Sequence, residues 1–198
     1  MKEFIATNLV CLILALPLVQ ANGTVFEAVD LWPGEGRPVF KASAQDLTLR
    51  ASPSNSSRVS HRVMVQRKQP LKFDHTLYRT IKAGRIRVLM PAYLEGRILG
   101  ARNRLSTDEY YSDKFPSSKM PVKPGRDIEY LQYRAEGTCF VRIESVVIDA
   151  SSCPTTDRSA FRLETEPTTE WWLHVIVDQT AGWLLVTDSN VKEVGREF

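Results

Sequence analysis

Beyond its opening block, the chain carries its apolar residues in short runs separated by turn residues. In the first half, Leu47-Thr48-Leu49-Arg50, Val59 to Val65, Ile86 to Met90 and Leu94 to Leu99 read as strands. In the second half the same reading falls on Ile128 to Arg134, Cys139 to Ile143, Val146 to Ala150, Trp171 to Val177 and Trp183 to Thr187. Long helical periodicity is absent. Closely spaced β-branched and aromatic runs predict an all-β protein, built as small barrels or a sandwich. The period of two puts Trp171, Leu173, Val175 and Val177 on one face of a strand and Trp172, His174, Ile176 and Asp178 on the other. Asp178-Gln179-Thr180-Ala181-Gly182 then reads as the turn of a hairpin into Trp183. Glu136-Gly137 and Glu144-Ser145 mark two further turns. A two-residue turn at Glu144-Ser145 sets Cys139 opposite Ala150, so a bridge from Cys139 to Cys153 needs the chain to curl back after Ala150, and Pro154 suits a strand ending there.

The opening block is different. Met1-Lys2-Glu3 precedes a nearly unbroken apolar run from Phe4 to Val19, and Val19-Gln20-Ala21 ends it. A charged head, an apolar middle and a small residue at the end predict a signal peptide over 1–21, cleaved after Ala21. The run is shorter than the roughly 20 residues a spanning helix needs, although an uncleaved anchor is the alternative. No other run is long enough to cross a bilayer. The expected location is therefore extracytoplasmic, periplasmic or secreted. Cys11 leaves with the signal, and Cys139 and Cys153 remain. In an oxidising compartment their expected fate is a disulfide. A free reactive thiol or a metal site is the competing reading, but two thiols make a poor metal set and no Cys-x-x-Cys or His-x-x-x-His occurs.

Charge changes the picture more than composition does. The formal net charge is only +3, and 43% hydrophobic residues permit a packed core. Yet Arg58 to Arg104 holds 12 Lys/Arg against two acids, while Arg126 to Phe198 holds 7 Lys/Arg against 13 acids. Three arrangements account for this: a polyanion-binding face, two halves that dock on each other, or a solvated basic surface. Arg62, Arg67, Lys68, Lys72, Arg79, Lys82, Arg85 and Arg87 are the candidate basic face. The expected division is a lead-in over 22–45, a basic β domain over 46–105, a linker over 106–125 rich in Pro, and an acidic β domain over 126–198 holding the disulfide. A faint echo between Lys82 to Leu89 and Lys123 to Leu131 is consistent with two units.

Asp46-Leu47-Thr48-Leu49-Arg50-Ala51-Ser52-Pro53-Ser54-Asn55 resembles the opening of bacterial SH3-like domains, a strand followed by Arg-x-x-Pro and a small polar turn. The turn into Ile86 to Leu89 resembles their next strand. Trp172-Leu173-His174-Val175 and Gly182-Trp183-Leu184 look like their closing strands. Ser52 stands where those domains commonly have Gly. The two ends of the resemblance lie more than 110 residues apart, so it implies either two divergent barrels or one barrel with a large insertion. The family resemblance implies cell-wall (peptidoglycan) or peptide binding.

Candidate chemistry is sparse. Trp172, His174 and Trp183 are the candidate ligand-binding residues, since an outward Trp beside a His can stack on a sugar or pack on proline. The same aromatics can equally fill a small barrel's core. His61, His75 and His174 show no ligand spacing, and no metal or cofactor is expected. No Gly-x-Ser-x-Gly, His-Glu-x-x-His or phosphate-binding glycine loop occurs. No catalytic residue is therefore assigned, although Asp149, Asp157, Glu164, Glu166 and Glu170 are plentiful acids. The expected function is a non-catalytic extracytoplasmic SH3-like binding or adaptor protein, with a cell-wall polymer or an envelope protein as partner and not nucleic acid. One alternative is an envelope hydrolase using Glu164, Glu166 or Glu170. Another is a structural subunit of an envelope complex.

Overall fold

The computed structural model describes residues 25–197, so the expected signal peptide over 1–21 lies outside the described residues. The described chain is all-β apart from one short helical turn and one 3-10 turn. Its strands are β1 (Phe26–Val29), β2 (Arg37–Ala42), β3 (Asp46–Arg50), β4 (Val59–Met64), β5 (Pro70–Lys82), β6 (Gly84–Val88), β7 (Ala92–Gly100) and β8 (Arg104–Ser106). They continue as β9 (Ser117–Val122), β10 (Asp127–Tyr133), β11 (Cys139–Ile143), β12 (Val146–Ala150) and β13 (Phe161–Thr165), then β14 (Thr168–Val177), β15 (Thr180–Leu185) and β16 (Val191–Glu197). The helical turn α1 (Thr107–Tyr110) follows β8 directly, capped at Ser106 by a reciprocal bond with Glu109.

Two sheets form. The first has the order β16-β2-β5-β14-β15-β3-β4, with β1 also on β5 and β8 beside β1. The second has the order β13-β6-β10-β11-β12-β7-β9. The chain builds the first sheet, leaves it after β5, completes the second sheet, and returns with β14. Only Ala83 separates β5 from β6, and β13 passes to β14 through Glu166 and Pro167. Pairing runs across this gap, from Ile176↔Lys72 to Thr168↔Lys82 in the first sheet and on to Thr165↔Arg85 and Phe161↔Val88 in the second. An antiparallel ribbon thus threads both sheets. At its crossing point Gly84 lies against the Thr165–Pro167 backbone, where a Cβ has no room.

This topology differs from the expected division at 106–125. That segment contributes α1 and β9, and β9 pairs along β7 from Ala92↔Val122 to Arg97↔Ser117. The strands of 46–105 are shared between the sheets, and β14 to β16 rejoin the first one. The expected Asp178–Gly182 turn is also tighter than its sequence suggests. Val177 pairs with Thr180 and Val175 with Gly182, so Asp178-Gln179 alone turns the chain, with Asp178 at φ 53°. Gly182 is a strand residue pressed against Leu49 and Arg50 of β3. The Glu144-Ser145 turn has two residues as expected, with Ile143 opposite Val146 and Cys139 opposite Ala150.

Three apolar clusters hold the molecule. One lies in the first sheet around Phe40, Leu47, Leu49, Leu173, Val175 and Leu184. One lies in the second around Ile86, Val88, Ile128, Val141 and Ile148. The third, with Phe26 of β1, Leu105 of β8, Leu131, Phe140 and Val147, joins the sheets. Alternation along β11 sends Cys139 and Val141 into the second cluster and Phe140 into the third, so this strand is buried on both faces. Cys139 and Cys153 form a disulfide with 5.2 Å between Cα atoms. It ties β11 to the 3-10 turn at Pro154–Thr156.

Closing this loop restricts the unfolded chain. Cys139→Ser with Cys153→Ser should lower the unfolding free energy by about 3 kcal/mol. Urea denaturation of the oxidised protein and the double variant checks this, and an unmoved midpoint would contradict it.

Candidate functional site

Two-sided burial of β11 and β12 creates the site. Asp149 of β12 stands opposite Phe140 of β11 and Arg97 of β7, on the face turned toward the junction between the sheets. The carboxylate is nearly buried, and a charge there needs partners. Arg97 donates to it from Nε at 3.2 Å and from Nη2 at 3.0 Å, and the Tyr110 hydroxyl donates at 3.1 Å. Arg134, just after β10, adds an ion pair at 3.8 Å. The guanidinium of Arg97 lies 4.0 Å from the Tyr110 ring centroid and that of Arg134 lies 4.1 Å from it. Two cations share one ring and one carboxylate. Burial lowers the pKa of Arg134; Asp149 opposes that shift and the neighbouring Arg97 adds to it.

This group is the floor of a cleft of about 800 Å³. One wall is the β1–β2 loop, including Trp32, whose indole N–H donates to the Gly36 carbonyl at 2.6 Å. The Gly34 amide donates to the Arg134 carbonyl and pins that wall to the floor. Tyr110 and Tyr111 reach the cleft from α1 and the residue after it. Gly96 of β7 also lines it, and a Cβ there would collide with the Asp149 carbonyl. Carboxylates gather at the rim: Glu35, Glu95, Glu136 and Glu197. A hydrogen bond with Glu136, together with repulsion from its charge, holds the Glu35 carboxyl above its ordinary value.

The candidate ligand residues go elsewhere. None of Trp172, His174 and Trp183 lines the cleft. Trp172, on the face expected to point outward, is fully buried. Its indole N–H donates to Glu170 at 2.9 Å, and Arg79 covers its ring at 5.6 Å. A salt-bridged pair thus seals the residue that alternation had placed outside. Trp183 is half-buried and sits 5.2 Å from the His174 ring, while His174 contacts Asp74 at 2.7 Å. His75 is the cross-strand partner of His174 and contacts Asp30 at 3.0 Å. His61 lies on β4 and is exposed. No group of three or more metal-ligating side chains occurs among the described residues.

The eight candidate basic residues do not share one surface. Arg79 pairs with Glu170, Arg85 with Glu164, and Arg87 with Asp127 and more distantly with Glu164. Arg85 and Arg87 belong to the second sheet, whereas Arg62, Lys72, Arg79 and Lys82 belong to the first. Arg62, Arg67, Lys68, Lys72 and Lys82 are exposed. The basic and acidic stretches therefore dock through several of their charges. Among the acids, Glu164 and Glu170 are held by arginines, and Asp157 accepts from the Ser159 hydroxyl and amide in a turn.

Sequence reasoning missed the floor. Arg97 lies inside an ordinary strand and Arg134 just past the end of one, and Tyr110 fell in the expected linker. One signal was available. Asp149 interrupts the apolar run Val146-Val147-Ile148-Asp149-Ala150, and an acid inside a buried strand calls for a cation. Comparison with protein-family models, with curated proteins and with solved structures gives no match to this chain.

Two measurements probe the geometry. Asp149→Ala leaves two partly buried guanidiniums without their carboxylate and should cost about 3 kcal/mol of stability; chemical denaturation reads this, and a loss under about 1 kcal/mol would contradict the pairing. The second concerns His75, whose pKa is raised chiefly by its bond to Asp30, against the opposing effect of burial, with the charges of Asp30 and Asp74 adding to the rise. A raised histidine pKa stabilises the fold below the unfolded value of about 6.5, and that gain fades as pH rises through the folded value. An NMR titration should place the His75 midpoint above that of an unfolded control, and Asp30→Asn should bring it down.

Proposed function

We propose that this protein is an exported, non-catalytic binding protein that holds a peptidic cell-wall or envelope ligand in the cleft between its sheets. The observation that carries this reading is Arg134. Its side chain is four-fifths buried at the cleft floor, with Asp149 no closer than 3.8 Å. Within the described residues its guanidinium makes no hydrogen bond, so its fork is available to a ligand carboxylate. The rim carboxylates around Trp32 suit an amine at the other end of the same ligand. A peptide carrying both charges, as peptidoglycan stem peptides do, matches this polarity.

Other observations support the reading. The disulfide suits an oxidising compartment. No helix among the described residues is long and apolar enough to cross a membrane. The two stretches that resemble bacterial SH3-like domains are far apart in sequence but adjacent in the first sheet, where Trp183 of β15 pairs with Arg50 of β3. The second sheet is inserted between them, which fits the one-barrel form of the resemblance. The Glu164 and Glu170 of the hydrolase alternative are occupied by Arg85, Arg162 and Arg79.

Co-sedimentation with purified peptidoglycan sacculi tests the proposal. The protein should pellet with sacculi, and Arg134→Gln should weaken binding by about tenfold, the value of a charge-assisted hydrogen bond, while retaining its fold by circular dichroism. Absence of binding at both low and high salt would remove the cell wall as the ligand.

A further inference from the structure

A second site follows from strand register in the first sheet. β16 pairs with β2 so that Lys192 stands directly opposite Lys41. Partners in an antiparallel ladder project from the same face, and like charges placed this way repel. Phe40 and Ala42 turn into the core and Val191 does likewise, so both lysines face outward.

The turn between β4 and β5 adds two more cations. The Lys68 amide donates to the Ala42 carbonyl at 2.8 Å, and the Ala42 amide donates to the Gln69 carbonyl at 2.9 Å. The Gln69 side chain accepts from the Gln66 amide at 2.9 Å and closes the turn. Lys68 sits at φ 67°, a conformation that favours glycine, yet a long cation occupies it. Arg67 and Lys68 are thereby fixed beside β2. The result is a groove of about 480 Å³ lined by Lys41, Arg67, Lys68 and Lys192, with Ser43 and Val194. Val194 lies within the bulge between Glu193 and Gly195, which interrupts the β16–β2 register.

Four cations line this groove. Among the described residues none of the four has a carboxylate within ion-pairing distance, and neighbouring Glu193 pairs instead with Arg196 at 2.7 Å. Arg79, Arg85, Arg87 and Arg97, by contrast, each have a carboxylate partner.

We propose that this groove binds a soluble anion carrying linked phosphate groups. A phosphate group bears a charge of about −1.5 to −2, so two or three linked groups come close to matching the four cations, whereas a single carboxylate leaves most of them unmatched. The lysine stems and Val194 line the groove and leave the charged ends in solvent, where they can meet an anion. Val194 is the sole exposed large hydrophobic in the lining, so the groove lacks the apolar anchors that a bilayer surface requires.

Isothermal titration calorimetry with inorganic tripolyphosphate tests this on the purified protein with its disulfide intact. Binding should be measurable at about 50 mM salt and weaken strongly by about 200 mM, as screening demands. Lys41→Gln with Lys192→Gln should weaken it at least about tenfold. That variant should melt no lower than the parent, because a repulsive cross-strand pair is gone, so loss of binding separates from loss of fold. Lys119→Gln with Lys123→Gln, on and beside β9 of the second sheet, should bind as the parent does. Arg134→Gln should also bind tripolyphosphate normally, so groove and cleft fail independently. No binding by the parent overturns the proposal, as does an equal loss in the Lys119/Lys123 variant. Binding to phosphatidylglycerol vesicles without binding to tripolyphosphate overturns it too and assigns the groove to a lipid surface.

Discussion

Burying β11 and β12 on both faces is the constraint from which the rest of the molecule follows. One face of this hairpin fills the second sheet's own core, and the other packs Phe140 and Val147 against Phe26 and Leu105 where the sheets meet. Asp149 occupies the same face as Phe140 and goes inward with it. A carboxylate in that position is tolerable only if cations come to it. Arg97 arrives because β7 is the neighbouring strand, and Arg134 because β10 ends alongside. Tyr110 arrives because α1 is capped directly after β8, and β8 is itself held by its parallel pairing to β1. The charged floor of the cleft is thus a product of joining two sheets through one shared hairpin.

The same constraint explains which parts of the fold were legible. Strands rich in β-branched and aromatic residues, such as Cys139 to Ile143 and Trp171 to Val177, announce themselves because burial selects those residues. β5 does not. Its run Lys72-Phe73-Asp74-His75-Thr76 is polar, and it buries Thr76 and Thr80 where a core strand usually carries hydrocarbon. Its place in the middle of the first sheet is secured by β14 along one side, by β1 and β2 along the other, and by the Thr80 hydroxyl on the Leu131 carbonyl at 2.7 Å. These are all distant in sequence, so no local pattern reveals them. β9 is hidden for a related reason, since Pro121 and the polar Ser117-Ser118-Lys119 suit an edge strand but read as a linker. Trp172 inverted the expectation from alternation because Arg79 and Glu170, themselves paired, roof it over.

Charge segregation along the chain has a comparable resolution. A stretch with 12 cations and two acids need not be a binding face when the fold returns an acidic stretch to it. The ribbon of β5-β6 against β13-β14 does this by construction. It sets Arg79 beside Glu170 in one sheet and Arg85 and Arg87 beside Glu164 in the other. Cations outside that ribbon are the informative ones, because docking cannot account for them. Lys41 precedes the basic stretch and Lys192 lies within the acidic one, and strand register brings the two together.

The disulfide bears on the cleft as well as on stability. Cys153 stands 14 residues after Cys139, and its amide donates to the Gly137 carbonyl at 2.6 Å. Gly137 belongs to the turn between β10 and β11, where Glu136 and Gly137 both adopt positive φ, and Glu136 and Thr138 line the cleft. The bridge therefore fixes the 3-10 segment against the turn that carries one rim carboxylate. Arg134 lies on the other side of the same turn, with its amide donating to the Thr138 carbonyl at 3.1 Å. Floor and rim are thus connected through one five-residue stretch held at its base by a covalent bond. A ligand that spans from Arg134 to Glu136 engages groups whose separation is set before it arrives, and preorganisation of this kind spares binding the entropy of ordering a loop.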